Sequence, residues 1–321
     1  MLLVSLSLRS TDSFPSQLKL LKDLISIRAN QDSASSITDS ETNLFDPRYL
    51  NQMNLLFAQL GSLVMASRRA QQFLMEASRF GIPSGDNLRY FDNYIVSYNT
   101  QLKQPAWVLE HLLPWEIDAS SAVRHGKHTF CVDKTIHEYF RSIDLDYKTS
   151  GYDRGHFSPA LDNAYNQKYL NQSFYLSNVA PQVPNLNRAG CVWARLETYV
   201  RYVARRSKGA YVLTGSLYSP TAEDDRVVRY RVIGPNRVAV PTHFYKVLVS
   251  ESRLGRMSME AYLVPNSAQV PNSAKLERFQ VDIDQGLPLL EESAGLVFFQ
   301  DLDRNNLEKP FGLQYGFGKS S

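Results

Sequence analysis

The sequence contains no long hydrophobic run. None of its 321 residues falls in a stretch that approaches the roughly 18 to 20 apolar residues a membrane-spanning helix needs. A polytopic membrane protein is therefore excluded, and no integral membrane span is expected. Apolar residues still make up 43% of the chain and charged residues 21%. These ordinary values favour a globular protein and exclude disorder over the whole length.

Cysteine and net charge are also scarce. The two cysteines, Cys131 and Cys191, are too few for a disulfide framework; we interpret both as buried thiols in a reducing compartment.

With 35 basic and 32 acidic residues the formal charge is only +3, so any basic surface that binds nucleic acid must be local. His125 and His128 have no further Cys or His at ligand spacing, which argues against a zinc site. His243 lies in a predicted strand and is interpreted as structural.

The first 80 residues differ in composition from the rest of the chain. Residues 29–47 are rich in Ser, Asp, Asn and Thr and are predicted to form a solvated linker. Residues 53–73 include Arg68 and Arg69 and no acid. This composition suits either a mitochondrial presequence or an amphipathic helix that packs on the body of the protein. We therefore divide the chain into a partly helical extension at 1–80 and a domain at 81–321.

Short apolar runs rich in Val, Tyr and Phe begin near residue 86 and are separated by Pro, Gly, Asn and Asp. They predict strands at 94–97, 106–110, 129–132, 174–177, 210–214, 227–233, 238–250 and 259–264. Apolar residues at helical spacing predict a helix over 191–206 and another within 287–293. Because helices and strands do not alternate regularly and no internal repeat is present, the predicted class is α+β with a mainly antiparallel sheet.

Residues suited to phosphate binding and proton transfer concentrate between 152 and 206. Arg154 and His156 flank a glycine; the guanidinium matches phosphate oxygens, and imidazole accepts a proton near neutral pH. Asn187 offers a neutral oxygen to a hard cation. Glu197 and Arg201 lie four residues apart at the edge of the predicted helix stripe, where a surface ion pair is the simpler interpretation. Six basic residues and one acid between 188 and 208 form the local basic footprint.

These residues lie within blocks that resemble the DNA/RNA non-specific endonucleases of the ββα-metal fold, and most closely their endonuclease G group. The blocks are DRGH at 153–156, FYLSNVAPQVPNLN at 174–187 and WARLE at 193–197, together with PAWVLEHL at 105–112, VLTGSLY at 212–218 and VAVPTHFYKVLV at 238–249. The likeness covers roughly residues 83–300. It implies a sheet core that carries a ββα-metal finger motif.

The resemblance also implies the chemistry of a one-metal hydrolase. His156 matches the general base, Asn187 the ligand of Mg²⁺, with Mn²⁺ as a substitute, and Glu197 the carboxylate that holds metal-bound waters. Arg154 and Arg201 match arginines that bind the phosphate and stabilise its developing charge. DNA and RNA are the implied substrates, and the implied products carry 5′-phosphate and 3′-hydroxyl ends. A homodimer and a mitochondrial address, with a nuclear role after release in dying cells, are implied as well.

One spacing departs from the family pattern. Five residues separate Asn187 from Trp193, where about three are expected. Two extra residues inside a helix rotate Glu197 by about 200°, so we expect a bulge before the helix, at Gly190. A bulge that displaces Asn187 leaves Asn178 and Asn185 as substitute ligands. It also leaves open a second function, that of a catalytically impaired nucleic-acid-binding protein of the same fold.

Overall fold

The computed structural model describes residues 68–119, 129–220 and 224–310. The predicted linker at 29–47, most of the segment 53–73 and the pair His125 and His128 lie outside these ranges. The helices are α1 (Arg68–Ala77), α2 (Pro114–Ala119), α3 (Asp144–Tyr147), α4 (Gln167–Ser173), α5 (Pro184–Asn187), α6 (Val192–Arg206) and α7 (Gly286–Ala294). The strands are β1 (Leu88–Tyr90), β2 (Ile95–Asn99), β3 (Gln104–Leu112), β4 (Asp153–His156), β5 (Val179–Gln182), β6 (Gly209–Leu217), β7 (Val232–Ile233), β8 (Val238–Ala239), β9 (His243–Glu251), β10 (Met257–Pro265) and β11 (Gln280–Val281).

Seven of the strands form one antiparallel sheet in the order β1-β2-β3-β6-β9-β10-β11. Its four long members, β3, β6, β9 and β10, have nine residues each and are mostly buried. Such burial follows when both faces of a sheet are covered. The predicted α+β class with a mainly antiparallel sheet is confirmed. No helix among the described residues is long and apolar enough to cross a membrane.

Side-chain alternation divides the sheet into two covered faces. Val212 and Leu248 belong to the face that shares an apolar core with α6, whose Leu196 is fully buried in it. On the opposite face Tyr211 contacts Phe80, just after α1, with ring centroids 4.9 Å apart. Tyr245 contacts Phe298, just after α7, at 5.2 Å. The chemistry described below lies on the α6 side.

A small ββα unit lies beside α6. Strands β4 and β5 pair antiparallel, with Asp153 opposite Gln182 and His156 opposite Val179. Gly155 is required by this pairing, because a Cβ there would lie 2.4 Å from Gln182 Oε1. The chain continues from β5 through α5 into α6. This is the strand, strand, helix order that the resemblance implies.

Several strand predictions were wrong in extent. The segments 129–132 and 174–177 form no strand and meet only at a single bridge between Cys131 and Tyr175. Within 227–233 only β7 is a strand, and 238–250 is divided into β8 and β9. Pro241 lies in that gap; proline has no N–H to donate to a sheet ladder. Both predicted helices are present, as α6 and α7.

The described part of segment 53–73 belongs to an amphipathic helix. Helix α1 buries Phe73 and Leu74 and contacts β3, which agrees with the packing-helix interpretation for these residues. The division of the chain at residue 80 stays a prediction. Cys191 is buried as expected, whereas Cys131 is exposed, so the interpretation of Cys131 as a buried thiol was wrong.

Candidate active site

His156 ends β4 between two aromatic rings. Its ring centroid lies 5.2 Å from that of Phe130 and 5.1 Å from that of Phe174. Burial lowers the pKa of His156 to about 4, so the imidazole is neutral at pH 7. Its Nε2 atom is buried and has no hydrogen-bond partner among the described residues. The imidazole is therefore in the protonation state that can accept a proton near neutral pH.

Asn187, the last residue of α5, is tied to the strand that carries His156. Its Nδ2 donates a hydrogen bond of 3.3 Å to Asp153 Oδ2. Arg188 donates to both oxygens of the same carboxylate, at 3.1 and 3.2 Å. Because its amide nitrogen is engaged, Asn187 has its amide oxygen as the atom suited to bind a cation. Asp153 therefore orients α5 against β4.

The two residues in excess of the family spacing between Asn187 and Trp193 lie in a turn between α5 and α6. Gly190 has φ +83°, a left-handed conformation that favours glycine, and Cys191 N donates to Arg188 O at 2.9 Å. The helix starts after this turn, at Val192. The expected bulge is therefore present before the helix. Asn187, just before this turn, is hydrogen-bonded to Asp153.

The two substitute ligands differ in how far backbone groups occupy their side chains. Asn178 is fully buried; it accepts from Ser158 N and donates to the carbonyls of Ser158 and Ser173, all within 2.9 Å. Asn185 donates to Ala268 O at 3.5 Å. Asn178 thus fixes the chain just after His156. Asn187 differs from Asn185 in that its amide nitrogen is bonded to Asp153 on the strand that carries His156.

Glu197 lies on α6 within a group of buried charges. Burial raises its pKa to about 7, whereas the nearby cations Lys246 and Arg201 act to lower it. The negative charge of Glu197 near neutral pH therefore depends on these two cations. Glu197 and Arg201 are not a surface ion pair, because Arg201 is only 7% exposed and donates to Asp162 at 2.9 Å.

Arg154 already has a carboxylate partner. Its guanidinium donates to the Asp144 side chain and, at 3.1 Å, to the Asp144 carbonyl. It also lies over the rings of Phe130 and Tyr147, at 5.4 and 5.2 Å from their centroids. Since Phe130 also contacts His156, the structure brings Arg154 and His156 to one aromatic surface. Arg201 belongs instead to the buried group around Glu197.

Sequence reasoning missed two buried charges under the site. Lys246 is 1% exposed and donates to Thr214 Oγ1 at 2.6 Å and to Phe157 O at 3.3 Å. Glu110 is fully buried and accepts from Ser158 Oγ at 2.7 Å. Both therefore hold the residues that follow His156. Each of the apolar blocks 105–112 and 238–249 contains one of these charged residues. Because charges are rarely buried without a partner, this pattern could have indicated a buried, paired charge in each block.

The predicted basic footprint at 188–208 is largely paired within the protein, although the side chains of Arg188, Arg205 and Lys208 are 67%, 46% and 50% exposed. Four of its six cations pair with acids elsewhere in the chain: Arg188 with Asp153, Arg201 with Asp162, Arg205 with Asp118 and Lys208 with Glu251. Arg195 donates to the carbonyls of Asn272 and Ala274. These contacts fasten α6 to the rest of the protein. The footprint stays a prediction, and its exposed cations are Arg188, Arg205, Arg206 and Lys208.

Comparison with known proteins decides the family. The sequence model of the DNA/RNA non-specific endonucleases matches residues 72–305. The chain belongs to this family. It is 38% identical to the mitochondrial endonuclease G of Homo sapiens over 229 residues, 71% of this chain and 74% of that protein. It is 34% identical to the mitochondrial endonuclease G of Caenorhabditis elegans over 301 residues, 93% and 92% of the two chains.

Further relatives agree with this assignment. The mitochondrial nuclease of Saccharomyces cerevisiae is 39% identical over 233 residues, which cover 69% of this chain and 68% of that protein. A crystal structure of an EndoG/EndoGI complex matches with a TM-score of 0.68 and 41% identity and covers 75% of this chain and 95% of that one. The chain is thus a nuclease of the endonuclease G-like group, a hydrolase with a nucleic-acid substrate. The names of its relatives support the predicted mitochondrial location.

The family is a class of metal-dependent nucleases, and the residues of this site fit a hard cation. The described residues contain no group of three or more His, Cys, Asp or Glu side chains placed to hold a metal. The oriented amide oxygen of Asn187 and the carboxylate of Glu197 are hard oxygen donors instead. Such a sparse oxygen set suits a cation that keeps most of its waters, as Mg²⁺ does.

Proposed function

We propose that this chain is a Mg²⁺-dependent endonuclease that hydrolyses phosphodiester bonds of DNA and RNA, with His156 as the general base and 5′-phosphate ends on the products. The observation that carries the proposal is the neutral imidazole of His156, half-buried between the rings of Phe130 and Phe174 and sharing Phe130 with Arg154. Cleavage without sequence preference agrees with a site built from groups that bind phosphate, because phosphate contacts carry no sequence information.

In this mechanism His156 takes the proton of the water that attacks phosphorus. Its lowered pKa keeps it unprotonated before substrate binds. A phosphate anion beside the ring stabilises the imidazolium form and so raises the pKa toward the range in which a base is most effective. The rings of Phe130 and Phe174 hold the imidazole in place and exclude bulk water from its sides.

Asn187 would hold the metal through its amide oxygen, and Asp153 fixes that amide by accepting from its nitrogen. Glu197 would accept hydrogen bonds from waters around the cation, and Lys246 and Arg201 keep its carboxylate charged. When bound, Mg²⁺ supplies positive charge to the phosphate and assists departure of the 3′ oxygen; Mn²⁺ has the same preference for oxygen ligands and is expected to substitute.

The two arginines have different tasks in this proposal. Arg154, which shares the Phe130 ring with His156, binds the phosphate by exchanging or sharing its exposed partner Asp144, which is 61% exposed. Arg201 stays paired with Asp162 inside the protein. Its positive charge, together with the other buried charges around Glu197, stabilises the negative charge that develops on the phosphate from a distance.

A plasmid-nicking assay tests the proposal. Wild-type protein should nick the plasmid with Mg²⁺ or Mn²⁺ and stop when a chelator is added. His156→Ala should lose about 10²- to 10⁴-fold in rate and keep its affinity for DNA. His111→Gln is the matched control: burial lowers the pKa of His111 to about 4 as well, but its ring stacks on Tyr211 on the other face of the sheet. DNA ligase should reseal the nicks if they carry 5′-phosphate and 3′-hydroxyl ends.

The second function, an impaired protein that binds nucleic acid, predicts a different result. It holds if wild type and His156→Ala bind DNA equally and neither cuts it with either metal. The structure favours the active nuclease, because the turn at Gly190 leaves Asn187 bonded to Asp153. Nicks that ligase cannot reseal would contradict the proposed product ends.

We also propose a homodimer and targeting by the amino-terminal segment. Light scattering on the purified protein should give about twice the chain mass, and the mass of a single chain would contradict the dimer. Fusions of residues 1–80 and of 53–80 to a fluorescent reporter test the address. A diffuse cytosolic signal from both would show that this segment does not direct import.

A further inference from the structure

A cavity of about 540 Å³ lies beside the aromatic surface that holds His156. Its lining includes the rings of Tyr90, Phe91 and Tyr175 and the side chains of Lys134 and Lys168. A volume between about 300 and 1,000 Å³ is usual for small-molecule sites, so the cavity has room for a nucleobase with its sugar. None of these five residues belongs to the site described above.

The geometry of two adjacent segments places this cavity next to His156. Cys131 and Tyr175 form a parallel bridge, with Cys131 N donating to Phe174 O at 2.9 Å and Leu176 N donating to Cys131 O at 2.8 Å. In extended chains successive side chains point to opposite sides. Phe130 and Phe174 contact His156, and the next residue of each segment, Cys131 and Tyr175, lines the cavity. One layer of backbone therefore lies between His156 and the cavity.

The cavity combines flat apolar surface with a cation that has no partner of its own. Phe91 lies 5.7 Å from Tyr175 between ring centroids, and both are only partly buried. Lys134 is exposed, and no hydrogen bond or ion pair of its ammonium is present among the described residues. Aromatic rings bind unpaired bases by stacking, and a lysine beside them binds the phosphate of the same nucleotide.

The acidic residues of the cavity do not repel a phosphate strongly, because their carboxylates are already paired or hydrogen-bonded within the protein. Asp92 is 1% exposed and pairs with Lys168 Nζ at 2.6 Å, and Gln172 donates to it at 2.6 Å. Asp133, 3% exposed, accepts from Thr135 and from Ser177 Oγ at 2.7 Å. Lys134 is therefore the charge left to face a ligand.

We infer that this cavity is a subsite for an unpaired nucleotide of the substrate strand, whose base stacks on the aromatic rings and whose phosphate pairs with Lys134. The inference rests on the proposed function, because it makes the strand bound in this cavity the strand that His156 cuts. It implies that single-stranded segments gain affinity that a paired duplex, whose bases are stacked in the helix, does not gain.

The test measures binding without cleavage. Fluorescence anisotropy of His156→Ala with a labelled single-stranded oligodeoxynucleotide, and with the same sequence as a duplex, gives affinity at several salt concentrations. Adding Lys134→Ala should reduce the slope of log affinity against log salt by about one, as expected for loss of one phosphate contact. Adding Tyr90→Leu should weaken single-strand binding about ten-fold through loss of stacking, with a clearly smaller change for the duplex.

Lys309→Ala in the same background is the matched control. Lys309 is exposed and follows Glu308, which bridges to β10, near the edge of the sheet opposite β1. An unchanged salt slope in Lys134→Ala, an equal change in Lys309→Ala, or equal weakening of both substrates by Tyr90→Leu would overturn the subsite. The proposed function fails separately, if His156→Ala still cuts DNA.

Discussion

Two groups of buried carboxylates lie on the same face of the main sheet, and they are built in different ways. Glu110 on β3 and Glu260 on β10 belong to one cross-strand row, with Val212 and Leu248 between them. Both are at most 2% exposed. One group lies beneath His156 and the other beneath the middle of α6. Their partners show which buried charge serves the site.

The Glu260 group is satisfied by neutral hydroxyls. Tyr199 Oη donates to both carboxylate oxygens at 2.9 Å, and Tyr262 Oη donates at 2.6 Å. Burial raises the pKa of Glu260, which favours its neutral form. A carboxyl group held in this way anchors α6 to β10 and needs no counter-charge. It is a structural group.

The Glu110 group is held by charge and is incompletely paired. Burial raises the pKa of Glu110 well above its usual value, Lys246 acts against this shift, and Oε2 of Glu110 has no hydrogen-bond partner among the described residues. Glu197 depends on the same lysine. Such an arrangement costs desolvation energy that hydroxyl partners avoid. The comparison teaches that cations are buried where a nearby carboxylate has to stay ionised.

Lys246→Met should have the largest effect on this comparison. Methionine keeps most of the length of the side chain but leaves Glu110 without its cation and Glu197 with Arg201 alone. Breaking a buried pair from one side costs about 3–5 kcal/mol, so the free energy of unfolding in urea should fall by that order. Adding Glu110→Gln removes one uncompensated charge and should restore part of the loss. Simple additivity of the two changes would contradict the charge pairing.

Glu197→Gln should lower kcat/KM by about 10²- to 10³-fold, the range seen when a group that stabilises transition-state charge is removed. Glu260→Gln is its matched control, because it changes a carboxyl group behind the same helix. That variant should keep wild-type kcat/KM and lose about 1–3 kcal/mol of stability through weakened hydrogen bonds. Equal losses of activity in the two variants would remove the distinction between the groups.

The parts of the fold that the sequence predicted are those with long apolar patterns. Helix α6 and the nine-residue strands β6 and β10 repeat their pattern often enough to be recognised. Strands β4, β5 and β11 have two to four residues, too few for alternation to appear. Arg154 and His156 lie on β4 and were identified from their chemistry and from the family resemblance. The pairing of β4 with β5 was not predicted.

The partners of the site residues could not be predicted, because they come from distant parts of the chain. Lys246 reaches Phe157 across 89 positions, and Arg201 reaches Asp162 across 39. No local pattern encodes such contacts, which depend on the register of β6, β9 and β10. The bulge at Gly190 was predictable, because it follows from helix geometry and one glycine alone.

The pH dependence of activity separates Glu197 from His156. Burial raises the pKa of Glu197 to about 7 and lowers that of His156 to about 4, so on acidification Glu197 is protonated first. The acid limb of kcat/KM should lie at or below about pH 7, since a bound cation lowers the pKa of Glu197 further. Lys246→Met removes a charge that lowers this pKa, so the limb should move up by about one unit, equivalent to about 1.4 kcal/mol. No movement would show that Lys246 does not act on Glu197.

Gly190→Ala should have the smallest effect on stability and tests the turn that precedes α6. A Cβ at Gly190 meets nothing within 4 Å, so the expected cost is backbone strain alone, about 1 kcal/mol at φ +83°. Gly255→Ala, at φ +81° in the turn between β9 and β10, is the matched control and should cost a similar amount in thermal unfolding. Only Gly190→Ala should raise the Mg²⁺ concentration for half-maximal activity, because its turn directly follows Asn187. An equal shift in both variants would mean that metal affinity follows global stability and not the position of this turn.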